Sequence, residues 1–351
     1  MDLFRISKLG FRILGWKVKK VIINQRRLLA LVSRFRRCHL LVIGDLMLDR
    51  FIWGEVERVS PEAPVPVVRV TSESLRLGGA ANVIHNIRNL GGHVTACGVL
   101  GQDEAGKHLL RGLKGIGSST AGVFSEAHIL TTQKSRVIAH PRHHQLVRLD
   151  HENHGDIGER VRRRIRQFVE RQVSRYDGVV ISDYGKGIVH PELLELISKL
   201  ALKKKLICVV DPKKENYGKY RNISLVTPNK EEATEASGIV IHDQASLQKA
   251  GRALLKMWQA RAVLITRGQE GMSLFSQDGT RGYFPTAARE IFDVTGAGDT
   301  VVAACVLVLA SRGTYEEAAV MANLAAGVVV GEVGTVPVPV NRLRQAIRGR
   351  W

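Results

Sequence analysis

Asp293-Val294-Thr295-Gly296-Ala297-Gly298-Asp299-Thr300 runs without a break into residues 301–310, which are all Val, Ala, Cys or Leu. Small residues ahead of a buried helix let the backbone N–H groups of Gly296, Ala297 and Gly298 converge at the helix N-terminus. That arrangement suits phosphoryl oxygens. Asp299 then stands in the first helical turn. A carboxylate there is poorly placed to hold phosphate but well placed to take a proton from an attacking hydroxyl. A Gly-rich turn with an Asp helix cap is the plainer alternative. The dense array of glycines and acid before an apolar helix favours catalysis.

Outward from this stretch, short apolar runs at 39–43, 94–99, 178–181, 206–210, 225–226 and 262–265 alternate with helical patterns at 80–90, 191–203, 245–259 and 298–312. Alternating βα units predict a three-layer α/β/α core with a mostly parallel sheet and sites at the carboxyl ends of its strands. Residues 51–70 and 131–150 break the alternation; their Val, Ile and Thr content predicts antiparallel strands in a small β-sheet lid. The expected organisation is a basic extension over 1–37 and one α/β domain over 38–351.

The 351 residues carry a formal charge of +19, with 44 % hydrophobic residues, 34 Gly and 10 Pro, an ordinary globular composition. No apolar run reaches the ~18 residues of a helical membrane span. Four cysteines, at 38, 97, 208 and 305, are widely spaced without a CxxC pair, which argues against a disulfide framework and fits a cytoplasmic protein. Residues 1–37 hold eleven Lys/Arg against Asp2, a net +10 that leaves +9 for the rest. This arm reads as a disordered extension or as a segment lying on an anionic membrane surface. No nucleic-acid-binding signature accompanies the charge, so no specific nucleic acid is expected as a partner. A second basic stretch, 160–175, has apolar residues at helical spacing and predicts a surface helix with a solvated Arg face.

Other motifs fall after predicted strands. Gly78-Gly79-Ala80-Ala81-Asn82 opens a helix, and its glycines permit close approach of a ligand, while Asn82 can donate to and accept from a polyol. Asp45 and Asp49 follow the first strand, where a substrate would be held. The segments 182–187 (SDYGKG), 211–213 (DPK), Thr227–Glu232 and Thr266-Arg267-Gly268 place polar groups on the same rim. Asn229 and Glu232, three apart at a helix start, could hold Mg²⁺ through water. Singly, each of these loops is a common cap or turn; five on one edge are harder to dismiss. Gly101-Gln102-Asp103-Glu104-Ala105-Gly106-Lys107-His108 imitates a P-loop, but His108 lacks the Mg²⁺-binding hydroxyl and two acids sit where phosphate should lie. It reads as a polar turn.

In this order, the motifs resemble the ribokinase-like sugar kinases, the PfkB family, over about residues 37–348. GGAAN at 78–82 is similar to the family's first signature and DVTGAGDT at 293–300 to its second. The resemblance implies ATP and Mg²⁺, with Asn229 and Glu232 in the magnesium/phosphate motif, Thr266 and Gly268 on the nucleotide rim and Asn323 near adenine. It also implies K⁺ near Asp293 and a homodimer through the β lid. Residues 57–67 (ERVSPEAPVPV), SDYGKG and DPK look more narrowly like the D-glycero-β-D-manno-heptose 7-phosphate kinases of ADP-heptose and lipopolysaccharide precursor synthesis. Many of these are fused to an adenylyltransferase with an HxGH motif; no HxGH occurs here, and a kinase-only form is expected. One departure is the His-rich segment with His140, His143 and His144 where the relatives carry paired Gln; exposed lid histidines are expected rather than a metal site.

The reaction implied is attack of the anomeric O-1 of the heptose phosphate on the γ-phosphorus of ATP, with Asp299 taking the proton. Asp45, Gly78, Gly79 and Asn82 would hold the sugar. Arg58, Lys134, Arg136, Arg148 and Lys186 are the candidate cations for its phosphate. The alternatives are a ribokinase- or fructokinase-type kinase of another sugar, and a catalytically silent ribokinase-fold binding protein.

Overall fold

The structure, a computed structural model, describes residues 24–140, 144–152, 157–288, 293–332 and 334–349. Numbered along the chain, the core strands are β1 (His39–Gly44), β4 (His93–Gly101), β5 (Ser119–Glu126), β8 (Gly178–Ser182) and β9 (Ile207–Asp211). The remainder are β10 (Leu225–Val226), β11 (Ala262–Thr266), β12 (Met272–Ser276) and β13 (Arg281–Phe284). They form one nine-stranded sheet in the order β13-β12-β11-β10-β9-β8-β1-β4-β5, parallel except for β12 and β13. After β1 the chain winds outward through β4 and β5, then returns to lay β8 on the other side of β1. The direction of winding therefore reverses between β1 and β8, and a crevice opens beyond the carboxyl ends of those two strands.

Alternation along β1 shows how the two faces fill. Leu40 and Val42 join one apolar cluster and Leu41 and Ile43 the other. The first is covered by α1 (Gln25–Arg34), α2 (Ala80–Asn89), α3 (Glu104–Gly115), α8 (Ala297–Ala310), α9 (Tyr315–Val329) and α10 (Val340–Ile347). The second lies under α4 (Glu159–Gln172), α5 (Pro191–Lys204), α6 (Lys230–Ser237) and α7 (Gln244–Trp258). Helix α8 is apolar all round because it is buried all round, from Asp299 to Leu309. The basic helix α4 is amphipathic as expected, turning Val161, Ile165 and Val169 inward.

The second sheet is the lid, with β2 (Leu46–Val59), β3 (Pro66–Gly79), β6 (Gln133–Ala139) and β7 (His144–His151) in the order β3-β2-β6-β7. Its strands are longer than expected, and the central β2–β6 pair is parallel rather than antiparallel. β2 leaves the core directly at Leu46, which lengthens it, so Asp49 lies inside a lid strand and not in a loop.

The expected extension over 1–37 requires correction in its second part. Residues 25–34 form α1, whose Leu28, Leu31 and Val32, followed by Phe35, are at most 4 % exposed in the core cluster. Arg27 pairs with Glu317 of α9 at 2.9 Å. The apolar stripe of this segment faces protein and is closed to a membrane. Residues 1–23 and His143 lie outside the described residues. No helix among the described residues is long and apolar enough to cross a membrane.

Candidate active site

The crevice between β1 and β8 gathers most of the expected residues. Asp45 immediately follows β1 and is 3 % exposed. Its Oδ2 accepts from the backbone N–H of Tyr184 at 2.8 Å and of Lys186 at 3.2 Å, while its buried Oδ1 has no partner. Asp45 lines a pocket with Leu46, Val99, Thr132, Lys186 and Ile188. Burial pushes its carboxyl up to about 7, Asp183 adds to this, and the amides of Tyr184, Lys186 and Ile188 oppose it. A buried oxygen with no donor in the protein is suited to a hydroxyl brought by a ligand.

Gly78 and Gly79 close β3 onto α2, Gly78 against the Asp49 carboxylate and Gly79 against the Asp45 backbone. A Cβ at Gly78 would sit 2.4 Å from Asp49 Oδ2, and one at Gly79, whose φ is +54°, would sit 2.6 Å from the carbonyl oxygen of Asp45. The glycines therefore serve close packing of acids against backbone, and only Gly fits. Asp49 is buried and pairs with Arg136 at 2.6 Å.

Asp299 lies in the first turn of α8 and is 4 % exposed. Both carboxylate oxygens accept a hydrogen bond, Oδ2 from Asn82 Nδ2 at 2.7 Å and Oδ1 from the Tyr184 hydroxyl at 2.8 Å. Burial raises its pKa to about 7; Asn82 and Tyr184 pull it down and Asp49 pushes it up. A carboxylate so poised can exchange a proton near neutrality. Of the three amides expected to face phosphate, that of Ala297 is engaged by the Val294 carbonyl at 3.1 Å, whereas Gly298 is exposed with open space around it.

Asp293 is taken up in holding this loop. Its oxygens accept from the Thr295 amide and hydroxyl and from the Gly334 amide, at 2.9, 2.6 and 2.8 Å. Partial burial works against ionisation, but these bonds hold its pKa below the usual carboxylate range.

Asn229 and Glu232 form a reciprocal capping box at the start of α6, each bond 2.9 Å. The two residues thus form the helix cap that is the plainer alternative for this motif. Thr266 is drawn beside Asn229 by a backbone bridge, its amide donating to Pro228 O at 2.9 Å, and Gly268 takes φ +55° in the following turn. Asn323 of α9 donates to the Pro285 carbonyl at 2.7 Å, tying the far end of this rim.

Asp211 and Tyr184 join the site without a signal of their own in the sequence, although Asp211 opens the motif at the end of β9 and Tyr184 lies in the motif that follows β8. Burial, then Glu232 and Asp299, push the Asp211 pKa well above the ordinary value, with Lys213 opposing. Among the described residues no three His, Cys, Asp or Glu side chains converge on one ion. Asp211 and Glu232 offer hard oxygen donors beside Asp299, which fits Mg²⁺ retaining several waters.

The candidate cations separate by lid register. Asp49 on β2 opposes Lys134 on β6, which opposes Asp150 on β7; Phe51 likewise opposes Arg136, which opposes Arg148. Partners across a ladder share a face, so Lys134, Arg136 and Arg148 lie on the face that carries Asp49. Lys186 Nζ pairs with Glu152 at 2.7 Å beside the Asp45 pocket. Arg58 is exposed near the end of β2, roughly 30 Å of extended strand beyond Asp49, and does not join this group. His140 stacks on Trp53, with ring centroids 5.6 Å apart, and His144 is exposed. In the P-loop imitation, the expected polar turn is confined to Gln102 and Asp103; Glu104–His108 open α3, which Asp103 caps through the Gly106 amide while also accepting from the Thr131 amide.

Comparison with known proteins agrees with this geometry. Phosphofructokinase-2 from Escherichia coli in complex with fructose-6-phosphate superposes with a TM-score of 0.73 at 22 % identity, over 89 % of this chain and 98 % of that one. A ribokinase from Arabidopsis thaliana gives 0.68 at 18 %, over 89 % and 99 %. These likenesses establish the ribokinase-like fold. In sequence, Bifunctional protein HldE of Geobacter metallireducens is 48 % identical over 306 residues, and that of Wolinella succinogenes 44 % over 305. Each alignment covers 87 % of this chain but only 62 % and 64 % of the relative, so the chain spans under two thirds of the length of these proteins. Residues 38–341 match the pfkB family carbohydrate kinases, and the chain belongs to that family.

Proposed function

We propose that this protein transfers the γ-phosphoryl group of ATP to the anomeric O-1 of D-glycero-β-D-manno-heptose 7-phosphate. The observation that carries the reading is the pairing of two buried carboxylates across one crevice. Asp299 is oriented by donors on both oxygens; Asp45 offers an unpartnered oxygen to an incoming hydroxyl. The sugar lies between Asp45, Asn82 and the lid, with ATP along the rim of Asn229, Thr266, Gly268 and Asn323. The sugar oxygen forms a bond to the γ-phosphorus as the bond to the β,γ-bridging oxygen breaks, ADP departs, and Asp299 takes the hydroxyl proton. The free Gly298 end of α8 faces the negative charge, in a reaction where positioning and electrostatics carry most of the catalysis. Mg²⁺, when bound, would neutralise β- and γ-phosphoryl charge; Asp211 and Glu232 would hold it. K⁺ near Asp293 belongs to the same proposal, supported by the structure of Escherichia coli phosphofructokinase-2 in complex with potassium.

For the 7-phosphate, Lys186 and Lys134 have the strongest claim. Burial lowers the Lys134 pKa, with Asp150 and Glu152 opposing and Arg148 and Lys186 adding to it, which places Lys134 half-buried in a cluster with these charged groups. Lys186 would exchange Glu152 for phosphate. Coupled ADP-release assays with heptose 7-phosphate, fructose 6-phosphate and ribose should give by far the highest kcat/KM for the first; equal or greater values for ribose would overturn the assignment. Lys186→Gln should raise KM about tenfold or more for phosphorylated sugars, in line with the loss of a charged hydrogen bond. An equal rise for free sugars would remove Lys186 from phosphate binding.

The lid also supports a homodimer. Its outer face presents Leu75, Val147 and Leu149, each more than 40 % exposed; Leu75 and Leu149 flank Arg50 and Ser135 in one ladder row, and Val147 lies beside Val137 and Ile52 in the next row on the same face. A second copy of the chain would cover this apolar face; self-association also occurs in a protein of this fold, since Escherichia coli phosphofructokinase-2 has a tetrameric inhibited form. Sedimentation should show dimers that Leu149→Lys converts to monomers, and a wild-type monomer would contradict the proposal.

A further inference from the structure

We infer that Tyr184 is a positioning residue that couples the sugar-binding carboxylate to the catalytic base. One residue touches both acids: its hydroxyl donates to Asp299 Oδ1 at 2.8 Å, and its backbone N–H donates to Asp45 Oδ2 at 2.8 Å. The inference rests on the reading of Asp299 as the base.

The loop that carries Tyr184 is braced from behind. Asp183 accepts from the Tyr220 hydroxyl at 2.6 Å, from Asn216 Nδ2 at 2.7 Å and from the Gly185 amide at 2.9 Å. Tyr220 also accepts from the Lys213 amide at 3.0 Å, which fastens the loop after β8 to the loop after β9. Tyr184 is thus held at fixed height between two acids on separate elements. Each carboxylate oxygen has two acceptor positions. With Asn82 on Oδ2 and the phenol on Oδ1, the carboxylate plane of Asp299 is fixed from both sides, and a remaining lone pair of Oδ1 is left for the substrate proton. The phenol itself stays protonated, because burial and the surrounding acids raise its pKa well above the ordinary value. It therefore serves as donor and takes no part in the proton transfer.

The titratable groups around Asp299 among the described residues are Asp49 on β2, Tyr184 after β8 and Asp211 at the end of β9. Removing only the phenol oxygen leaves Asp45 untouched, since its bond comes from the Tyr184 backbone. Tyr184→Phe should lower kcat about 10- to 100-fold, as expected for loss of one charge-assisted bond, with the KM for ATP within twofold. Its acid limb of kcat should move to higher pH, because a carboxylate deprived of a donor is harder to ionise. In an Asp299→Asn background the same change should add little. Tyr220→Phe, which loosens the loop without touching Asp299, should lower thermal stability without moving the limb. An unchanged kcat and pH profile in Tyr184→Phe would overturn the coupling while leaving the base intact. A lower kcat with an unmoved limb would reduce Tyr184 to packing and equally overturn it. Retained turnover in Asp299→Asn would instead remove the base reading, and the coupling with it.

Discussion

Asp299→Asn should fold, bind ATP as the wild type does and lose turnover by about 10²- to 10⁴-fold, the range for removal of a general base. The amide keeps the volume of the carboxylate in a site only 4 % exposed, so no cavity opens. The nucleotide rim at Asn229, Thr266 and Asn323 is built from α6, β11 and α9, none of which depends on the Asp299 side chain. The pH dependence follows with a definite sign. An ordinary carboxylate titrates near 4, so its rate would be flat at neutrality. Burial lifts Asp299 to about 7 against the donors Asn82 and Tyr184, so the base is half protonated there. The kcat/KM of the wild type should rise as pH increases through about 7 and level off above it. Steady-state kinetics between pH 5.5 and 9 would check both statements, and kcat within tenfold of wild type in the Asn variant would exclude Asp299 as base.

Gly296→Ala should damage stability and turnover together. Gly296 sits at φ +78°, where an L side chain is strained, and a Cβ there would stand 2.6 Å from Asn82 Nδ2 and 3.1 Å from Thr335 Cγ2. Backbone strain of this kind costs about 1–3 kcal/mol. Asn82 cannot yield without leaving Asp299, and a hydrogen bond to a charged group contributes about 1.5–3 kcal/mol, or roughly 10- to 100-fold in rate if it is needed in the transition state. Gly298→Ala is the control: space around that position is open and its φ is not positive, so it should melt close to the wild type. Melting curves and kcat for the pair check the argument. A Gly296→Ala protein with wild-type melting temperature and kcat would show that the Asn82–Asp299 contact is not held by this turn.

The core strands were legible because each is a short apolar run bounded by polar or turn residues, and β1, β4, β8, β9, β10 and β11 appear within two residues of expectation. β5, β12 and β13 were not. β5 is half-exposed at a sheet edge and carries Gly122, while β12 and β13 form a short antiparallel edge that belongs to no βα unit. Helix α1 was hidden by its charge: eleven basic residues dominate the first 37, and the stripe formed by Leu28, Leu31, Val32 and Phe35 spans only about two turns.

The site was legible wherever chemistry requires a residue type at a turn. Asp299, Asn82, Asp45 and the glycines converge as expected because glycines alone permit that spacing. Tyr184 was hidden inside a quoted motif because nothing local distinguishes a tyrosine reaching across the crevice to α8 from one packing beneath its own loop. Arg58 illustrates the reverse error. Its motif is informative, but strand geometry carries it far from the carboxylates within one protomer.

The ³¹P and ¹H NMR spectra of the product formed from D-glycero-β-D-manno-heptose 7-phosphate, ATP and Mg²⁺ test the central claim most directly. The account predicts a second phosphorus resonance coupled to the anomeric proton, in one-to-one yield with ADP and absent with Asp299→Asn. Phosphate on any other carbon, or ADP formed without a bisphosphorylated sugar, would contradict it.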